Sequence, residues 1–206
     1  MKQYLFVPTV LEFIERPDFF SRVCAWALRV FAALFLLGAL IGWFQVWKAV
    51  FELNGAGILG GVLFQIFFVI GAYMVLHIVW LRAAAMEVLK EHDFRVIPLQ
   101  EIFFKMLGEI YASLALTAGL GRGLLRLFVD HGRLVDNISS AIPGIGWEHA
   151  YLKQLFGGSE GISGFLNAVL FMLGGVVSAV LWLVIFYLLA EFVSLWLGVA
   201  RDLRKH

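Results

Sequence analysis

Two groups of ionisable side chains in this 206-residue chain lie inside apolar stretches, where a charge needs a reason. Tyr73 and His77, one helical turn apart, are followed by Arg82, while Glu109 and Glu191 stand at similar depth in two other stretches. A central charge in a bilayer costs about 2.5–3.5 kcal/mol on insertion scales unless it is paired or wetted. Contact of Glu109 or Glu191 with Arg82 or His77 is therefore expected. The five residues read as an ion-pair network at the rim of a helix bundle, with a proton- or ion-handling path as the alternative. Arg122 and Arg126, again one turn apart, form the second group. Guanidinium groups there snorkel to lipid phosphates or pair with Asp130, Asp136 or Glu52, and the competing reading is an anion or headgroup site. Glu109 lies on nearly the opposite face of the same helix and is not their direct partner.

Other chemistries find little footing. His77 is the only histidine within an apolar stretch, so a bis-histidine haem is not expected. Asp130, His131, Asp136, Glu148 and His149 match no recognised metal-ligand spacing, and Ser139 and Ser140 lack a Gly-x-Ser-x-Gly setting. No CxxC, GxGxxG, P-loop or HExxH occurs. The single cysteine, Cys24, rules out an intramolecular disulfide, and a net charge of +1 gives no reason to expect nucleic acid. The expectation is no enzyme, no cofactor and no metal.

The elements that position these residues are four apolar stretches, about 23–46, 58–81, 106–128 and 164–190. The hydrophobic fraction is 62%, against about 45–50% in soluble domains. A bilayer core takes about 20 apolar residues per helical span. The third stretch is the weakest, since it contains Glu109 and Arg122. Eleven of the sixteen Lys and Arg residues precede or open the first span, lie between the second and third, or follow the fourth. By the positive-inside rule both termini are cytoplasmic. Trp26, Trp80 and Trp196 fall at the inner ends and Trp43, Trp47 and Trp147 at or beyond the outer ends, while Trp182 sits mid-span and is assigned to helix packing. The first span begins after more than twenty residues and reads as retained, not as a cleaved signal.

The fold expected is an all-α integral membrane protein, four transmembrane helices forming two antiparallel hairpins with short interfacial amphipathic helices. A segment 1–22 at the cytoplasmic interface precedes a single transmembrane domain, 23–206, with a long outer loop 129–163. Val10, Leu11, Phe13 and Ile14 mark one amphipathic helix, and Trp147–Phe156 another. Asn54-Gly55-Ala56-Gly57 supplies a tight turn, the link after the second span turns near Asp93, and Pro98 suits the first turn of the third helix. The segments beginning at Gly57 and Gly164 match at five of eleven positions, which reads either as duplication of a two-helix hairpin or as the chance similarity of two apolar stretches.

Gly108, Ala112, Ala115 and Gly119 recur at spacings of four, three and four on the third span, a small-residue stripe that predicts close helix packing. Gly38 and Gly42 on the first span, and Gly175 and Ala179 on the fourth, offer complementary surfaces, within one chain or between copies. The function expected is a non-enzymatic membrane subunit or scaffold that associates with other helices through such faces, in the inner (plasma) membrane of a bacterium. Its partners are the bilayer and other membrane subunits or further copies of itself. The alternative is a small oligomeric transporter or channel with a polar path through Arg122, Arg126, His77, Glu109 and Glu191. Placement discriminates: a shared cavity favours transport, and separate rims favour the scaffold.

Overall fold

The computed structural model describes residues 19–53, 55–88, 96–129 and 164–204. The amphipathic helices expected near residues 10–16 and 147–156, the turn near Asp93 and the outer-loop residues Asp130 to His149 lie outside them. Within the described residues there are four α-helices and no strand: α1 (Phe19–Phe51), α2 (Ala56–Glu87), α3 (Val96–Phe128) and α4 (Gly164–Arg204). All four are long and apolar enough to cross a membrane, including the third, whose glutamate and arginine do not prevent it. The chain is a four-helix integral membrane protein.

Each helix runs past the apolar stretch that announces it, because backbone hydrogen bonds continue until turn chemistry interrupts them. Between α1 and α2 that interruption is Gly55, whose φ of 48° is the one positive value among the described residues; its lack of a Cβ removes the steric cost. Leu53 donates to the Val50 carbonyl and Ile58 to that of Gly55, closing the turn in a few residues. At the start of α3, Pro98 occupies the first turn, where its missing N–H would have had no intrahelical acceptor.

Consecutive helices are antiparallel and pack in chain order, with α3 against both α2 and α4. We call the end where α1 and α3 begin basal, and the opposite end apical. At the basal end Ala25, Ala83, Met86 and Leu99 bring α1, α2 and α3 together, and Ala32, Val75, Val79 and Met106 continue that core upward. Apically, Phe64, Leu125 and Phe171 join α2, α3 and α4. Trp26 and Trp80 are exposed at the basal end, and Trp43, Trp47 and Phe51 form a contacting aromatic ladder at the apical end of α1. From Trp26 to Trp43 and Trp47 is about 26–32 Å along a helix, the thickness of a hydrocarbon core.

Lipid tails are as apolar as leucine, so association of the helices rests on close packing and polar ties. The tightest contact joins α3 to α4. A Cβ added to Gly119 would lie 2.5 Å from Gly175 Cα, and one added to Gly108 would lie 2.8 Å from Phe186 Cβ. Ala112, Ala115 and Ala179 fill the interval between those crossings. Gly108, Ala112, Ala115, Gly119, Gly175 and Ala179 thus share one interface within the chain. Gly38 and Gly42 take no part in it.

Candidate functional site

The basal polar cluster is built on Glu109, one turn further into the bundle than Met106 of the basal core. Arg82 of α2 grips it with both prongs of the guanidinium, Nε donating to Oε2 at 3.0 Å and Nη2 to Oε1. From α4, Tyr187 donates its hydroxyl to Oε1 at 2.8 Å. The forked geometry is the strong form of a charge-assisted pair. One carboxylate therefore ties three helices, and its side chain and that of Arg82 keep only 23% of their surface exposed. Lys105, paired with Glu101 at 2.7 Å, stands 6.0 Å from the centre of the Tyr187 ring and extends the cluster toward the basal rim. A second basal pair, Arg29 with Glu87 at 2.7 Å, fixes α1 to α2, and the same guanidinium lies over Trp80.

Of the five residues placed together by depth in the sequence, the structure joins Arg82 and Glu109 and leaves the other three outside. Tyr73 and His77 stack on one another at 5.9 Å on an exposed face of α2. Glu191 is exposed on α4. Tyr187, which supplies the third tie, was missed by sequence reasoning. Its signal was a phenol within an otherwise uninterrupted apolar run, a side chain that needs a partner for its hydroxyl when it is not at the headgroup level.

Arg122 and Arg126 lie at the apical end of α3. Arg122 is 1% exposed, enclosed by protein and not extended to the lipid-facing surface, so the expectation that it snorkels does not match its position. It packs where α3 and α4 approach most closely, between Gly119 and Gly123, the latter leaving a Cβ 2.4 Å from Met172 Cγ. Arg126 is 6.0 Å from the centre of the Phe171 ring. Along α3, Arg122 is about 20 Å from Glu109, so the two polar groups occupy opposite ends of the bundle.

Between α1 and α3, with α2 as its floor, runs a half-open apolar groove of about 1400 Å³. Phe64, Phe68, Gly71 and Val75 form the floor, and the wall made by α1 and the turn after it extends from Ala27 to Leu53 with Gly38 and Gly42 midway. Its polar lining is sparse: Gln45 and Glu52 near the apical end, and Tyr111 and Thr117 on α3. Thr117 is satisfied by the Ser113 carbonyl at 2.7 Å. Arg122, Glu109, His77 and Glu191 are not among the lining residues. The groove is formed by three helices together, so no local sequence signal marks it.

Among the described residues no three His, Cys, Asp or Glu side chains gather as a metal site. No protein-family model, curated protein or solved structure matches the chain.

Proposed function

We propose that this chain is a non-enzymatic integral membrane subunit that associates with another transmembrane helix along the α1–α3 groove. The observation that carries this reading is the separation of its polar groups from its cavity. Glu109 and Arg82 are engaged in holding the chain's own helices together, Arg122 is enclosed at the other end, and the groove is lined almost wholly by apolar side chains. A transport path would need those polar groups along one shared channel. A helix-binding face needs an unfilled apolar surface with small residues that let backbones approach, which Gly38 and Gly42 provide. The face through which it associates is thus on α1, since the small residues of α3 and α4 pack on one another.

The basic residues fit the basal end facing the cytoplasm, with both termini inside and the chain in the plasma membrane of a bacterium. The test is the mass of the full-length protein extracted in native-like lipid nanoparticles from its own host. A stoichiometric assembly, with itself or with another membrane protein, is the expected result. A monomer accompanied only by lipid overturns the proposal.

A further inference from the structure

On the groove wall, α1 presents Phe35, Gly38, Gly42, Gln45 and Ala49 at spacings of three, four, three and four, and Glu52 follows three residues later in the turn. This is the 3.5-residue repeat of a helix that lies along another helix. The wall from Leu28 to Glu52 is about 36 Å long, more than the roughly 30 Å of a bilayer core. One lipid tail covers a single leaflet, whereas a transmembrane helix fills the whole length.

Two features of that wall, and a third at its edge, are complementary to themselves. Gly38 and Gly42 form a Gly-x-x-x-Gly pair: nothing lies within 4 Å of a Cβ added to Gly38, and only the Phe68 ring edge, at 3.5 Å, approaches one added to Gly42. Gln45 lines the groove and has no hydrogen-bond partner among the described residues. An amide both donates and accepts, so a second Gln45 facing it satisfies both groups. Lys48, on α1 at the edge of the wall, and Glu52, in the turn that follows α1, have opposite charge, and neither is in an ion pair among the described residues. Across a two-fold axis normal to the membrane, each lysine meets the other copy's glutamate, as an isologous contact requires.

Resting on the reading of the chain as an associating subunit, we propose that the groove receives α1 of a second copy, giving a parallel two-fold dimer. Its seam is the Gly38–Gly42 crossing, a Gln45 pair and two Lys48–Glu52 contacts.

The test is oxidative cross-linking of the full-length protein in native membranes, with Ala49→Cys introduced on a Cys24→Ser background. A disulfide-linked species of twice the mass is expected, and none from Val177→Cys on the exposed face of α4. Adding Gly38→Leu and Gly42→Leu, positions where a Cβ meets nothing and only the Phe68 ring edge respectively, should raise the dimer dissociation constant at least roughly tenfold. Unchanged helix content by circular dichroism then separates lost association from lost folding. A dimer indifferent to both leucines overturns the groove as its seam. Capture of a different protein by Ala49→Cys, without the doubled mass, overturns the second copy as occupant and leaves the subunit reading standing. A monomer with lipid alone overturns both.

Discussion

Glu109 receives donors from two other helices, and its value lies in how many elements depend on it. Replacing Arg82 with alanine leaves a partly buried carboxylate without its bidentate partner. We expect a loss of about 1–3 kcal/mol, the range for a hydrogen bond to a charged group and its unmet desolvation, read as a lower thermal midpoint in detergent. Removing both partners as Arg82→Leu with Glu109→Leu should cost less than Arg82→Ala alone, since no charge is then stranded. Tyr187→Phe should cost about 1 kcal/mol, detectable by the same melt. The Arg82–Glu109 contact was legible in the sequence because an ionisable group at membrane depth has to find a counter-charge. The third member was not, because a tyrosine in an apolar run satisfies packing and hydrogen bonding equally well, and only the register of α4 against α3 decides which. For His77 depth was the wrong guide: it shares a level with the cluster but points from another face of α2.

At the scale of the element, α3 shows what spacing conveys and what it leaves open. Gly108, Ala112, Ala115 and Gly119 form one stripe by helical geometry alone, and close packing was legible from them. Their partner was not, since α1 and α4 both carry two small residues one turn apart. The outcome follows from matching: Gly175 comes opposite Gly119, Ala179 falls beside Ala112 and Ala115, and Trp182 and Phe186 stack with Tyr111 just below. Gly38 and Gly42 belong to α1, which meets α3 only through the basal core and across the groove. Substitution separates the two kinds of glycine. Gly119→Leu forces side-chain atoms into the α4 backbone, where neither helix has a flexible group to yield, and should destabilise the fold by about 1–3 kcal/mol or more as overpacking. Gly38→Leu, with open space at its Cβ, should leave the melting midpoint of the monomer unchanged or raised, because leucine is the better helix former. A thermal melt of the two variants side by side checks both expectations.

For the whole molecule, the number and placement of membrane helices were readable from hydropathy, whereas their full lengths were not, because hydropathy marks contact with lipid and a helix does not end where lipid does. The 41 residues of α4 extend about 60 Å, beyond the 40–45 Å of a bilayer with its headgroups. Its apical start gives little room for the excess, since Phe165 and Leu166 are already exposed apolar side chains that belong in lipid. The surplus emerges at the basal end: Tyr187 is level with Arg82 through Glu109, and Trp196 is about 13 Å further along the helix. The same end holds Arg29, Arg82 and Lys105 in its ion pairs, so in the orientation proposed above the projecting part of α4 faces the cytoplasm. On a Cys24→Ser background, Asp202→Cys should react with a membrane-impermeant maleimide only in inverted vesicles, and Ala56→Cys, exposed at the apical turn, only in intact cells. The opposite pattern would reverse the orientation of the bundle, and labelling of Asp202→Cys from neither side would mean that the end of α4 lies in the membrane and does not project from it.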